Sequence, residues 1–305
     1  PARVEEPTLV GLSAEAASVS AGARHSGCLL TTGEPLLWGC GDAGKLGSGN
    51  GSRKLAPSRP LAPADGGFPP LRTLALSDSY SVALGTDGSL LSWGEGAEGQ
   101  LGLDLSMETM ADQRLARWVS AVSEQNWREA AGAPSTTSSS DSSDEKSGAT
   151  QEAEEVTRWL SVGQKGRPTR MKLPEGLRAL SVGVGRYFGA AVVADGGEGE
   201  GGRVVTWGAG FNFELAQSSF TYQRVPALIV GAPADEIARG GGAVWVGCGA
   251  AFAIALTASG SAVLWGRLPA GTPPSTVSSN GGGGEGPPTA TLSFDRPLTG
   301  AAAGG

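Results

Sequence analysis

Histidine occurs once in this 305-residue chain, and cysteine only three times. The lone His25 and the scattered thiols of Cys28, Cys40 and Cys248 offer no C-x-x-C pair, no zinc-ligand spacing and no Cys–His nucleophile arrangement. The cysteines read as small buried residues. Basic residues are also few: 23 Lys and Arg against 30 Asp and Glu leave a net charge of −7. That balance argues against direct binding to a phosphate backbone, which needs clustered cations. The glycine runs GEGEGG (197–202) and GGGGEG (281–286) lack the Lys-Ser/Thr that follows a phosphate-cradling loop. No catalytic residue, cofactor site or metal site is therefore expected, and the chain reads as a non-enzymatic module. One uncharged run, Gly240–Gly266, is long enough to span a bilayer, but glycines interrupt it and it overlays on a repeat described below.

What the chain has in quantity is glycine, 50 residues in all. The segment WGEGAEGQLG (93–102) recurs as WGCGDAGKLG (38–47) and, with two glycines replaced, as WGAGFNFELA (207–216). A fourth Trp-Gly pair, Trp265-Gly266, departs into Arg-Leu-Pro. Upstream of each lies a second shared piece, giving the pattern [GS]-x2-[HYF]-x7-G-x4-W-G; the third copy fits once 197–202 is treated as an insertion in its turn. The aromatic slot of that pattern holds His25, Tyr80, Phe188 and Phe252 in succession. A position that accepts all three ring types calls for a planar ring rather than a proton carrier, so His25 is expected to pack.

Each unit reads as two short apolar strands around a glycine turn, followed by a glycine-studded reversal whose leucine packs back. Trp38 and Trp93 lie 55 residues apart, and Trp207 and Trp265 lie 58 apart. Small antiparallel sheets at periods of about 40–55 residues are propeller blades, which bury their faces by stacking around an axis. The pattern resembles the repeat of the regulator of chromosome condensation family over roughly 19–60, 74–103, 168–217 and 225–266. That resemblance implies an all-β fold, a β-propeller with about four recognisable blades. For function it implies a protein-interaction or scaffold module. The alternatives are guanine-nucleotide exchange on a small Ran-like GTPase, or the propeller part of a larger ubiquitin ligase or signalling protein.

The expected organisation places two blades in 1–104, an insertion in 105–166, two blades in 167–270, and a Gly/Pro-rich tail or further blade in 271–305. Between blades, the insertion carries apolar residues at helical spacing, including Trp118 with Val119 and, further on, Trp159 with Leu160. These four are the candidate partner-binding residues. The serine-rich tract between them has Ser138 and Ser142 each three residues before an acid, as an acid-directed kinase requires, and is expected to stay disordered. GRPTRMK (166–172) is the one basic knot, expected to be a solvated loop between blades. The partners expected are proteins, with neither direct nucleic-acid binding nor a membrane span.

Overall fold

The computed structural model describes residues 9–105, 165–196, 201–217, 222–272, 277–278 and 288–294. Among them, seventeen strands form four antiparallel sheets, each built from strands that follow one another along the chain. The first sheet comprises β1 (Ala16–Ala21), β2 (His25–Leu30), β3 (Pro35–Gly39) and β4 (Lys54–Ser58). The second comprises β5 (Leu71–Leu76), β6 (Tyr80–Gly85), β7 (Leu90–Gly94) and β8 (Lys165–Arg170). The third runs β9 (Arg178–Val184), β10 (Phe188–Ala194), β11 (Arg203–Ala209) and β12 (Tyr222–Leu228). In the fourth, β13 (Ala243–Cys248), β14 (Phe252–Thr257) and β15 (Ala262–Gly266) are extended by β17 (Thr289–Leu292) and then β16 (Val277–Ser278). These sheets are the blades of a β-propeller.

The repeat read from the sequence is a repeat of strand register. His25 pairs with Gly39, Tyr80 with Gly94, Phe188 with Gly208 and Phe252 with Gly266, so the aromatic slot always faces the glycine of Trp-Gly. These four glycines have φ between 96° and 113°, in the region open to glycine. A Cβ on Gly94 would stand 2.7 Å from the carbonyl oxygen of Ser79, which explains why no side chain is used there. The hairpin between second and third strands turns on Gly33, Gly88 and Gly260, with φ of 81°, 79° and 83°.

Period-two alternation sends successive residues of a strand to opposite sides of the blade, and the core lies between blades. Tyr80, Val82 and Leu84 of blade two meet Ala191, Val193 and Trp207 of blade three; Phe188, Ala190 and Val192 meet Ala253, Ala255 and Trp265 of blade four. The slot ring thus faces the following blade and the tryptophan faces the preceding one. A helix, α1 (Ala232–Arg239), joins blades three and four and buries Ile237 in their shared core.

Three expectations change. The excursion after Leu105 falls inside blade two, because Lys165–Arg170 returns to pair with β7 as that blade's outer strand. GRPTRMK is accordingly largely strand β8 and not a loop between blades. The tail also contributes structure: Thr289–Leu292 pairs with β15 as the fourth strand of blade four. Of the four Trp-Gly tryptophans, Trp93, Trp207 and Trp265 are fully buried, whereas Trp38 is half-buried. The uncharged run at 240–266 forms β13, β14 and β15, and among the described residues no helix is long and apolar enough to cross a membrane.

Candidate partner-binding face

Two kinds of connection emerge on one face of the blades: the turn from first to second strand, and the loop that follows Trp-Gly. The strand-one turn closes identically in all four copies, through Gly22 N–H to His25 O, Ser77 to Tyr80, Gly185 to Phe188 and Gly249 to Phe252, at 2.8–3.0 Å. The residue after Trp-Gly then donates its N–H to that turn, Glu95 to Ser79 O and Ala209 to Tyr187 O among them. This lattice of backbone bonds holds both loops side by side.

The same face carries the blade-to-blade bonds. Trp93 Nε1 donates to Lys45 O, Trp207 Nε1 to Gln100 O and Trp265 Nε1 to Glu214 O, each at 2.9 Å. In every case the acceptor is the residue before the leucine of the preceding blade's glycine loop. On the opposite face the hairpin glycine accepts from the next blade's first strand: Gly33 O from Leu71 and Gly88 O from Ala179. Gly202, the last residue of the inserted turn in copy three, takes that role against Ala243 at 2.7 Å.

The titratable groups that looked like chemistry are committed to this packing. His25 is 2% exposed, and its Nε2 lies 3.1 Å from Ser81 Oγ, which in turn donates to Lys45 O. Burial, with the nearby Lys45 charge, pulls its pKa down to about 4, so the ring is neutral at pH 7. Tyr80 donates its hydroxyl to Phe188 O at 2.5 Å across the junction of blades two and three, and burial raises its pKa well above the usual phenol value. All three cysteines are free and buried, and burial raises the pKa of Cys248 and Cys28. Among the described residues no group of His, Cys, Asp and Glu is arranged to hold a metal ion.

Copy three departs from the others on this face. Its loop keeps the left-handed turns without the glycines: Phe213 and Ala216 sit at φ of 66° and 50°, where Gly44, Gly99, Gly47 and Gly102 stand at 61–76° in the other copies. Left-handed conformation costs an L-residue roughly 1–2 kcal/mol. Glu214 helps to hold the loop, taking the Asn212 N–H and Nδ2 at 2.6 and 2.8 Å. The loop projects Phe211, 47% exposed, between two tyrosines. Tyr187, from the strand-one turn, meets it edge-on at 6.4 Å, and Tyr222, opening β12, meets it at 5.7 Å. The Arg186 guanidinium lies 5.2 Å above the Tyr187 ring and 3.5 Å from Asp78 of blade two. Alongside, Arg224 donates to Leu105 O and pairs with Asp104 at 3.6 Å, at the point where residues 106–164 depart.

The candidate residues named from the sequence, Trp118, Val119, Trp159, Leu160, Ser138 and Ser142, lie outside the described residues. Sequence reasoning missed Tyr187, Phe211 and Tyr222. A signal for two of them was available: the alignment puts Arg24, Ser79 and Ala251 where copy three has Tyr187, and Asp42 and Ala97 where it has Phe211. Aromatic residues at variable positions of a repeat mark what is particular to one blade.

No family model matches the chain. Among curated proteins it is 26% identical over 266 residues to the mitochondrial RCC1 domain-containing protein RUG3 of Arabidopsis thaliana, covering 82% of this chain and 53% of that protein. It is 27% identical over 255 residues to the mouse E3 ubiquitin-protein ligase HERC2, covering 80% of this chain but 5% of the ligase. The chain thus spans about half the length of the first relative and a small part of the second. Of solved structures, human WBSCR16 superposes with a TM-score of 0.60 at 19% identity, covering 97% of this chain and 57% of that one. Yeast RCC1 (Prp20), solved bound to Kap60, gives 0.52 at 18%, covering 85% and 45%. The repeated register and these relatives point the same way: the chain is similar to proteins built of regulator of chromosome condensation repeats, and its sheets are β-propeller blades of that type.

Proposed function

We propose that this chain is a protein-interaction module whose partner docks on the loop face, centred on blade three. The observation that carries the reading is the Tyr187–Phe211–Tyr222 group, displayed by a loop that keeps its left-handed turns with Phe213 and Ala216 instead of glycine. Strained backbone persists where the surroundings over-determine it, and such positions concentrate at binding sites. Exposed tyrosine and phenylalanine are also what protein interfaces enrich at their cores. Residues 106–164 belong to the same proposal, because they leave at Leu105 beside Arg224 and return at Lys165 against Gly94 of the Trp-Gly pair. Trp118, Val119, Trp159 and Leu160 are the proposed docking residues of that excursion, and Ser138 and Ser142 its proposed phosphorylation sites.

Guanine-nucleotide exchange is the narrower form of the same reading. Exchange needs no covalent chemistry, only a loop set that competes with phosphate and magnesium, and a propeller face supplies loops. One experiment addresses both: affinity capture by the intact chain, by Tyr187→Ala/Phe211→Ala and by a 106–164 deletion, each eluate being assayed for small GTPases and for nucleotide release. A partner retained by the intact chain and lost by the double variant is the expected result. Equal capture by all three proteins contradicts the proposal.

A further inference from the structure

We propose that the aromatic group of blade three receives a guanidinium-bearing segment of the docked protein, an inference that rests on the interaction reading above. The platform already shows this chemistry internally, since the Arg186 guanidinium stacks over Tyr187 at 5.2 Å. A ring face attracts a cation through its quadrupole, and arginine uses such faces more often than lysine because its planar group stacks. Phe211 stands nearly perpendicular to both tyrosines, at 85° and 89°, in edge-to-face contact with each. Phe211 and Tyr222 remain 47% and 37% exposed.

Charge complementarity fits the same ligand. Two blade-two carboxylates pair with arginines of blade three: Asp78, 52% exposed, lies 3.5 Å from Arg186, which stands over Tyr187, and Asp104, 74% exposed, lies 3.6 Å from Arg224, two residues along β12 from Tyr222. Both pairs are loose enough and wet enough to be worth little to the fold. An incoming guanidinium exchanges one partner for another at these carboxylates while gaining a ring face. An acidic ligand could make the same exchange at the two arginines but would gain nothing from the aromatic faces, whose quadrupole favours a cation. Recognition is thus assigned to an arginine within a flexible segment, held by a ring face on one side and a carboxylate on the other.

The test is calorimetric titration of the 305-residue chain with three synthetic peptides that share a Gly-Ser frame and carry arginine, lysine or glutamate at the same positions. The arginine peptide should bind most tightly, and its affinity should fall about fivefold in Phe211→Ala, the size expected of one exposed cation–π contact. Asp78→Asn should weaken it further and flatten its salt dependence. Circular dichroism checks that the variants keep the fold. Equal binding of the arginine and glutamate peptides, no binding of the arginine peptide, or arginine binding unaffected by Phe211→Ala would each overturn the assignment. The docking reading stands or falls separately: if Tyr187→Ala/Phe211→Ala loses a captured protein while the arginine peptide shows no preference, only the cation is wrong.

Discussion

His25 shows how the repeat decides the meaning of a residue. Met alone, a single histidine 3.1 Å from a serine hydroxyl invites a catalytic reading, but that serine is fully buried and its hydroxyl donates to Lys45 O. Tyr80, Phe188 and Phe252 occupy the same register position in the other blades. The lowered pKa carries a consequence for stability. Between the usual value near 6.5 and about 4, the unfolded chain binds a proton that the folded ring refuses, so stability falls as pH drops through that window and levels off below it. The contribution at stake is roughly 2–4 kcal/mol. In His25→Phe this part of the pH dependence should disappear, so the denaturant midpoint of the parent should fall relative to that of the variant as pH drops from 7 to 4. A parallel dependence in both would place the titration elsewhere.

At the scale of elements, the register of each blade was legible in the sequence because it rests on residues with few substitutes. Trp-Gly, the hairpin glycine and the ring slot each answer a steric demand that repeats. Replacing Gly94 with Ala tests this directly: at φ 113° and 2.7 Å from Ser79 O, the new methyl has no room, and the cost should exceed the 1 kcal/mol or so of an ordinary glycine effect. Thermal unfolding measures it; a midpoint unchanged from the parent would mean that the turn relaxes. The outer strand of each blade was less legible. Lys165–Arg170 contains a proline and three basic residues, and it lies far along the chain from β7, so neither composition nor spacing announces it as strand. Such edge strands tolerate proline and charge because one of their sides pairs with nothing in the sheet. The aromatic face was missed for a different reason. Repeat analysis looks for what recurs, while Tyr187 and Phe211 stand at positions where the copies differ.

Across the whole molecule, the three junctions between described blades use one set of contacts, in which a buried tryptophan of each blade donates to the loop of the blade before. Trp38 of blade one has the same register yet remains half-buried, packing, like Leu12 and Ala14, against the group of Cys28, Leu30 and Leu36. The energetic weight of the tryptophans should follow. Trp93→Ala or Trp207→Ala should cost about 3–5 kcal/mol as large buried aromatics, and Trp38→Ala distinctly less. Chemical denaturation of the three variants would show the ranking, and a cost for Trp38 equal to that for Trp93 would count against this view of the junctions. Stacking of this kind places stability in the junctions between blades and leaves the outward side chains of the loop face for recognition, as repeat architectures commonly do.

That division of labour is the central claim, and amide hydrogen exchange of the chain with and without its captured partner tests it most directly. Protection on binding should fall on the strand-one turn at 185–188, the loop at 207–216 and the start of β12, all on the loop face of blade three. Protection confined to the hairpin turns at 31–34 and 86–88, or to the outer strands of the other blades, would place the partner elsewhere and contradict the account.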